Sequence, residues 1–251
     1  MQKNKASVII PYFKKKKYIK KSIKSVLSQT YQNFEILIIY DDKNKVDLEY
    51  LKDLKKLDKR IKILVNSKNL GAGKSRNYGI INSTGKYICF LDADDYWKKN
   101  KLLFQINFME NTNCSISHTT YEIRNSKEKC IGIRKARDFM NYRDLLPSCD
   151  IGLSTVIAKK KIFTKDIKFS KLKTKEDFVL WLKILKKKIH IIGIKKNLVI
   201  WRETNNSLSS SLVQKIKDAF LVYFKYMNFG LIKSLYFVLI LSLNFIKKKI
   251  T

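Results

Sequence analysis

Three carboxylates lie close together in Phe90-Leu91-Asp92-Ala93-Asp94-Asp95, directly after an apolar run. Carboxylates this close repel one another unless a cation lies between them. Mg²⁺ or Mn²⁺ is typically held by one or two such oxygens, with water and substrate phosphates completing its shell. The pattern predicts a metal site on Asp92 and Asp94 that handles a phosphate-bearing ligand. A solvated acidic turn that caps the next helix is the alternative.

Two further segments suit the same kind of ligand. Asp41-Asp42 follows another apolar run, and the segment from Asn69 to Asn77 is a glycine-rich turn that leads into a helix. The free N–H groups at the start of a helix favour a diphosphate, and nearby cations strengthen that preference. An ordinary glycine-containing helix start is the plain alternative for this segment.

The sequence Gly71-Ala72-Gly73-Lys74-Ser75 also resembles the end of a P-loop. A P-loop requires a glycine five residues before the second glycine of that motif, and this position is Lys68. The lysine side chain would obstruct the backbone cradle for phosphate. An NTPase that uses Lys74 and Asp92 is therefore disfavoured, but it stays open as an alternative.

The acidic pair Glu176-Asp177 opens a predicted helix whose apolar stripe includes Phe178 and Trp181. Thr174 as N-cap with Asp177 at the third helical position would form a variant capping box, which stabilises a helix by about 1 kcal/mol. A carboxylate that faces a metal-bound phosphate ester from the second half of the chain would instead serve as a general base. The two roles are compatible.

Apolar strands alternate with amphipathic helices through the first 97 residues. The predicted strands are Ser7 to Ile10, Glu35 to Tyr40, Ile61 to Val65 and Tyr87 to Leu91. This alternation predicts an α/β fold with a doubly wound, mostly parallel sheet and flanking helices. Such sheets bind ligands beyond the carboxyl ends of their strands, so Asp41 and Asp92 are expected on one rim.

The pattern after Trp97 is mixed, with helices near Lys101 to Met109 and Thr174 to Lys187 and a strand near His190 to Ile194. No linker divides the chain. We expect one catalytic domain over residues 1–212, with a nucleotide side at 1–97 and an acceptor side at 98–212.

The last segment, residues 213–251, is an aromatic and aliphatic helical tail punctuated by lysine. Its apolar run from Leu231 to Ile246 is shorter than the ~20 residues that span a bilayer. A stripe of Ile216, Phe220 and Phe224 beside lysines is typical of an interfacial helix on anionic lipid. Packing of the tail on the catalytic domain is the alternative.

The chain has 53 Lys+Arg against 21 Asp+Glu, a net charge of +32, and is 45% hydrophobic. This apolar content excludes a disordered basic tail, while the charge attracts nucleic acid, anionic membrane or phosphate ligands. A non-enzymatic nucleic-acid-binding protein stays open, although no such motif is present and we expect no nucleic-acid partner. The four cysteines match no zinc spacing, and the N-terminus resembles no export signal, so we expect a cytoplasmic protein.

Taken together, six ordered segments between residues 5 and 210 resemble the inverting nucleotide-sugar glycosyltransferases of glycosyltransferase family 2, which have the GT-A fold. The segments are Ser7 to Tyr12, Ser25 to Tyr31, Phe34-Glu35-Ile36 leading to Asp41, Asn69 to Asn77, Phe90 to Asp95 and Glu176-Asp177.

The resemblance implies transfer of a sugar from a nucleoside-diphosphate sugar, with UDP favoured and Mn²⁺ or Mg²⁺ as cofactor. The acceptor would be a glycan or lipid-linked hydroxyl in bacterial cell-surface polysaccharide synthesis, such as lipopolysaccharide or capsule, on the cytoplasmic face of the inner membrane. Asp177 would be the catalytic base, and Asp92 and Asp94 the metal ligands. The donor-binding residues would be Pro11, Tyr12, Asp41, Arg76, Asn77, Asp92, Ala93 and Asp94, with Glu176, Trp201 and Arg202 as further contacts to donor or acceptor.

One motif departs from the family pattern. The strand-end motif of the family reads Asp-Asp-Gly-Ser, and its first three positions fall here on Tyr40, Asp41 and Asp42. This alignment selects Asp41 over Asp42. The stretch that includes Asn206 and Ser207 resembles a family segment that closes over the donor diphosphate, with plain loop capping as the alternative.

Overall fold

The computed structural model describes residues 4–204 and 211–250. Within these ranges nine strands form one sheet in the order β3-β2-β1-β4-β8-β6-β9-β5, with β7 paired to β6. The strands are β1 Ala6–Tyr12, β2 Phe34–Tyr40, β3 Ile61–Val65, β4 Tyr87–Phe90, β5 Tyr96–Trp97, β6 Ile116–Arg124, β7 Cys130–Arg134, β8 Ile157–Lys159 and β9 Ile192–Arg202.

The helices flank this sheet. They are α1 Lys16–Leu27, α2 Leu48–Lys55, α3 Ala72–Asn82, α4 Lys101–Asn111, α5 Tyr142–Leu145, α6 Glu176–Lys186, α7 Leu212–Leu221 and α8 Leu231–Ile250. Short 3₁₀ turns lie at Leu153–Thr155 and Lys160–Ile162, and a π-helical segment at Val222–Tyr226 follows α7.

Strands β1 to β4 form the parallel half of the sheet, with helices α1, α2 and α3 as the connections between them. All seven residues of β2 are buried, as expected for a strand covered on both faces. The predicted mostly parallel α/β architecture is confirmed.

The second half extends the same sheet. Strand β8 is antiparallel to both β4 and β6, β9 runs parallel to β6, and β5 pairs antiparallel with β9 at the far edge. The predicted nucleotide and acceptor sides are therefore joined through β4 and β8.

Alternate residues of the central strands enter two separate hydrophobic layers. Ile9 and Leu37 face one layer, while Val8 and Ile36 face the other. This follows from the two-residue period of a strand. The first layer contains α6 and the C-terminal helices, and the second contains α1, α2 and α4.

The C-terminal helices pack on the first layer, as the alternative for the tail predicted. Val222 and Tyr223 are fully buried there, and the Tyr223 hydroxyl donates a hydrogen bond to the Leu146 carbonyl at 2.7 Å. Tyr223 also stacks on Phe237 of α8, with 5.3 Å between ring centroids. Within residues 4–204 and 211–250, every helix is too short or too polar to span a bilayer.

One predicted helix start is wrong. Helix α6 begins at Glu176, and its N-cap is Lys175, which has the left-handed φ of 65° and makes no side-chain cap. Thr174 therefore cannot cap it, and Asp177 is at the second helical position. The Thr174 backbone N–H and hydroxyl instead donate to the Asp218 carboxylate on α7, at 2.8 and 2.9 Å.

If the C-terminal helices belong to the cooperative core, Tyr223→Ala should lower the free energy of unfolding by about 3–5 kcal/mol, the usual cost of truncating a buried aromatic side chain. The matched control is Tyr236→Ala, because Tyr236 lies on α8 with 58% of its surface exposed. Its effect should stay within about 0.5 kcal/mol. Urea denaturation measures both, and equal small effects would mean that the tail folds apart from the domain.

Candidate active site

A cavity lies at the rim where the parallel strands β2, β1 and β4 end and α3 begins. Parallel neighbours place their carboxyl ends together, which explains why residues distant in sequence meet here. Seven of the predicted donor-binding residues line it: Pro11, Tyr12, Asp41, Arg76, Asp92, Ala93 and Asp94. Phe13, Lys15 and Ala72, which were not predicted, complete the lining.

Asp41 is buried and holds the turn before α3. Its Oδ1 accepts hydrogen bonds from the Asn66 side-chain amide and the Leu70 N–H, both at 2.7 Å. Its Oδ2 accepts from the Gly71 N–H at 2.8 Å. Gly71 has φ 84°, a conformation that favours glycine. Asp41 therefore shapes the glycine-rich turn in addition to facing the cavity.

Tyr12 ends β1 beside Asp41, whose backbone N–H donates to the Tyr12 carbonyl at 2.9 Å. Its hydroxyl donates to Asp47 Oδ2 at 2.7 Å, and its ring stacks on Tyr40 with centroids 5.6 Å apart. Burial and the neighbouring Asp47 carboxylate raise the pKa of Tyr12 above its ordinary value. Tyr12 thus stays neutral and contributes a rigid wall.

Arg76 joins the two halves of the site. Its guanidinium donates to Asp92 Oδ1 at 2.7 Å and to Glu176 Oε1 at 2.6 Å, and it lies over the Phe169 ring. Burial lowers the pKa of Arg76, but the two carboxylates more than offset this, so the pKa is raised and the charge is permanent. Its Nε–H is buried without a protein partner.

Glu176 and Asp177 begin α6 beside this guanidinium. Burial raises the pKa of Glu176 to about 7, despite Arg76, and the negative charge of Asp177 adds to the effect. Burial also raises the pKa of Asp177, opposed by the positive charges of Arg76 and Lys175. Asp177 is hydrogen-bonded to the Phe178 N–H at 2.7 Å, so its carboxylate is oriented at the helix start. A carboxylate with a raised pKa in this position suits proton transfer.

The acidic loop after β4 is braced by two serines that sequence reasoning missed. The Asp92 N–H donates to Ser154 Oγ at 3.0 Å, and the Ser154 hydroxyl donates to Asp95 Oδ2 at 2.5 Å. Ser22 on α1 lies within hydrogen-bonding distance of the Ala93 and Asp95 carbonyls. Asp95 is buried and is part of this scaffold, whereas Asp92 and Asp94 face the cavity.

Asp92 and Asp94 provide hard oxygens that Mg²⁺ or Mn²⁺ prefers. Each already has a cationic partner: Arg76 for Asp92, and Lys15 for Asp94, with 2.7 Å between Lys15 Nζ and Asp94 Oδ2. Among residues 4–204 and 211–250, no group of three or more acidic, histidine or cysteine side chains is placed to hold a metal. The pair therefore fits only an ion that takes most of its ligands from water and a diphosphate.

Five predicted site residues do not line this cavity: Glu176 and Asp177 lie beside Arg76, and Asn77, Trp201 and Arg202 lie elsewhere. Asn77 uses both ends of its amide on the Phe169 backbone, at 3.0 Å each, and so ties α3 to that segment. Arg202 is buried, and its guanidinium donates to Glu128 at 2.8 Å. Trp201 is 37% exposed on β9. Asn206 and Ser207 lie outside the described residues.

The structure also gives the glycine-rich turn a different explanation from a P-loop. Lys74 is exposed on α3 and does not line the cavity. A Cβ atom on Gly73 would lie 2.6 Å from the Ser170 carbonyl and 3.2 Å from Glu176 Cγ. Gly73 is therefore needed for close packing against the segment that carries Glu176.

The place of Lys15 at the cavity was predictable from the sequence. Lys15 lies three residues after the end of β1, which is the rim position where parallel sheets bind ligands. Ser154 and Asp218 carried no such signal, because they reach the site only through contacts between distant segments.

Residues 7–191 match the family model described as "Glycosyl transferase family 2". A Bacillus subtilis (strain 168) protein that carries the name of a teichuronic acid biosynthesis glycosyltransferase, TuaG, is 31% identical over 97% of this chain and 97% of its own length. The Escherichia coli protein WfgD is 36% identical over 84% of this chain and 82% of its own length. WfgD is named UDP-Glc:alpha-D-GlcNAc-diphosphoundecaprenol beta-1,3-glucosyltransferase.

Among solved structures, S. aureus TarS 1-349 in complex with UDP-GlcNAc superposes with a TM-score of 0.69 at 20% identity. The match covers 87% of this chain and 65% of that chain. It supports the shared fold. A Rickettsia felis glycosyltransferase is 39% identical over 77% of this chain, which spans only 32% of that protein.

The raised pKa of Glu176 predicts a pH-dependent stability. A carboxyl group with a higher pKa in the folded chain binds more protons there, so folding is favoured at low pH and the gain is lost as the pH rises. As the pH rises from 4.5, the ordinary pKa of a glutamate, to about 7, the ionisation of Glu176 should lower the free energy of unfolding. The expected loss is about 1.4 kcal/mol per unit of difference between the two pKa values. Urea denaturation of Glu176→Gln at several pH values in this range should show a smaller fall of the unfolding free energy with pH than the wild type shows.

The matched control is Glu49→Gln, since the Glu49 side chain is 79% exposed. It should keep the wild-type slope. An unchanged slope in Glu176→Gln would show that Glu176 titrates normally in the folded chain.

Proposed function

The chain belongs to glycosyl transferase family 2, and from this premise we propose that it transfers a sugar from a UDP-sugar to a hydroxyl of a lipid-linked glycan, with inversion at the anomeric carbon. The observation that carries the proposal is the bridge from Asp92, through Arg76, to Glu176 beside Asp177. It couples a cavity suited to a nucleotide sugar to a carboxylate suited to act as base.

Membership of this enzyme family sets aside the two alternatives from the sequence, an NTPase that uses Lys74 and Asp92 and a non-enzymatic protein. The exposed position of Lys74 on α3 agrees with this outcome.

For the donor side, we propose that the cavity binds the UDP-sugar. Asp41 would contact the base or ribose, and Pro11, Tyr12 and Ala93 would line the bound nucleotide. Arg76 would hold Asp92 in place and supply positive charge near the diphosphate, because its guanidinium is buried, permanently charged and partly unpaired at Nε. The donor named for WfgD, UDP-Glc, supports a UDP-sugar for this chain.

We propose Asp94 and Asp92 as the residues that hold Mg²⁺ or Mn²⁺ together with diphosphate oxygens. The ion would supply stabilisation of the negative charge that develops on the departing diphosphate. Lys15 Nζ lies 2.7 Å from Asp94 Oδ2 and would provide positive charge at this point of the cavity.

For the acceptor side, we propose Asp177 as the general base. It takes the proton of the acceptor hydroxyl as that oxygen bonds to the anomeric carbon and the bond from that carbon to the diphosphate breaks. The raised pKa of Asp177 matches it to this task. Glu176 positions Arg76 and, with it, Asp92.

The acceptor and the place of work are inferred from relatives. WfgD is named for an acceptor on a diphosphoundecaprenol carrier. By analogy we propose a lipid-linked glycan at the cytoplasmic face of the inner membrane, in synthesis of a cell-surface polysaccharide. Residues 1–97 would form the donor side and residues 98–212 the acceptor side. Trp201, partly exposed on β9, is proposed as an acceptor contact, whereas Asn77 and Arg202 would act through the segments that they tie down.

The central test is Asp177→Asn. Removing the base should lower kcat for transfer from UDP-glucose to a diphospholipid-linked N-acetylglucosamine by about 10²–10⁴-fold. Thermal stabilisation by UDP-glucose with Mn²⁺ should persist, because the donor cavity is unchanged. The control is Asp166→Asn, since Asp166 is exposed. Normal transfer by Asp177→Asn would refute its role, and absence of transfer by the wild-type chain across a panel of UDP-sugars would refute the function.

A second test uses the pH profile. The positive charge of Lys175 lowers the pKa of Asp177. Lys175→Met keeps the side-chain length but removes the charge, so the rising limb of kcat against pH should move upward by on the order of half a pH unit. Lys173→Met, at an exposed lysine two residues away, should leave the limb in place. Equal profiles for both variants would contradict Asp177 as the titrating base.

A further inference from the structure

The C-terminal hairpin, defined here as α7, the π-helical segment 222–226 and α8, presents an exposed apolar face. Its two helices run antiparallel, because Lys215 of α7 lies over the Phe245 ring of α8 while Tyr223 stacks on Phe237. Exposed apolar residues recur every three or four positions along α8: Ile232, Leu235, Tyr236, Leu239, Leu243 and Ile246. This spacing places them on one side of the helix.

The opposite side of α8 faces the domain. Ser234 and Leu241 are buried, and the Asn244 amide donates to the Pro147 carbonyl at 2.9 Å. The exposed stripe is therefore left over after α8 has packed, and it is continuous along the helix. Val213 and Ile216 add exposed apolar surface on α7. Continuous apolar surface of this kind marks an interaction site, unlike single exposed residues such as Val46.

The charge of the hairpin specifies the partner. Residues 211–251 contain seven lysines and a single acidic residue, Asp218. Asp218 is buried and accepts hydrogen bonds from Thr174 and Gln214, so it does not face solvent. Lys217, Lys225 and Lys233 are exposed. Two copies of this face would repel each other, whereas an anionic surface would be attracted.

We propose that the hairpin docks on an anionic phospholipid bilayer. The apolar stripe of α8 enters the boundary between headgroups and acyl chains, and the lysines contact lipid phosphates. In this mode of binding the helices lie in the plane of the membrane surface.

Docking would also bring the active site to the membrane. On its inner side α7 holds Thr174 through Asp218, three residues before Asp177. A helix is about 10 Å across with its side chains, so Thr174 lies about one helix diameter from the exposed Val213 and Ile216 on the outer side of α7. In a membrane-bound chain, this places the base close to headgroup level, where a lipid-linked acceptor would present its glycan. This step rests on the proposed function, whereas the docking itself does not.

The test is flotation of the full chain with vesicles, without nucleotide sugar. We expect binding to mixed phosphatidylglycerol and phosphatidylcholine vesicles, weakened by salt, and little binding to phosphatidylcholine alone. The triple variant Ile232→Ser, Leu239→Ser, Leu243→Ser should lose affinity at least tenfold, and so should Lys217→Gln, Lys225→Gln, Lys233→Gln. Truncation is unsuitable because Tyr223 belongs to the core.

Two matched controls distinguish binding through the hairpin from non-specific hydrophobic binding and from the effect of the total charge. The apolar control replaces the comparably exposed Val46, Leu57 and Ile81 by serine. The charge control replaces Lys20, Lys24 and Lys55 by glutamine; these are exposed on α1 and α2, which cover the other face of the sheet. Both controls should bind vesicles like the wild type.

Several outcomes would overturn the proposal. If the lysine control lost as much vesicle binding as the hairpin lysine variant, the total charge of the protein, and not the charge of the hairpin, would explain the binding. Wild-type flotation by the apolar hairpin variant would exclude the stripe. If the wild type did not bind vesicles but formed a dimer in solution, and the apolar hairpin variant were monomeric, the exposed face would bind a second copy of the chain. Vesicle binding without sugar transfer would leave docking intact and refute only the proposed function. Thermal melting confirms that each variant is folded.

Discussion

The buried guanidinium of Arg76 is the interaction on which the site depends. It lies between Asp92, which ends the parallel half of the sheet, and Glu176, which begins α6 in the other half. Three carboxylates held near one another repel, and the burial of Glu176 adds to the cost, unless a fixed positive charge accompanies them. Removal of that charge would leave Asp92, Glu176 and Asp177 repelling one another, so Arg76 sets the geometry of the cleft and opposes the effect of burial on the pKa of Glu176 and of Asp177.

Much of this arrangement follows from local sequence. The buried strands β1, β2 and β4 are readable as apolar runs, and the parallel-sheet rule places Asp41 and Asp92 on one rim. Pro11, Tyr12, Arg76 and Asp94, which the motifs single out, all line one cavity. The helix of α6 was also predicted, although its first residue was displaced by two positions.

What the sequence could not disclose depends on contacts across long separations. Ser154 braces the acidic loop from 59 to 62 positions away, and Asp218 holds Thr174 from 44 positions away. The side chain of Asn77 is of a type that often contacts ligands, but its amide is hydrogen-bonded to the Phe169 backbone. Single residues of these types have no periodicity, so pattern analysis cannot distinguish a ligand contact from an internal brace.

The bond from Asp218 to the segment before α6 has a consequence for how such chains diversify. The tail shares the hydrophobic core through Tyr223 and holds the loop beside Asp177 through one carboxylate. It is therefore not an exchangeable module. A recombinant chain that receives its C-terminal helices from a relative must also receive an acceptor for Thr174 at the position of Asp218, so the active site constrains which residues the inner face of α7 can carry.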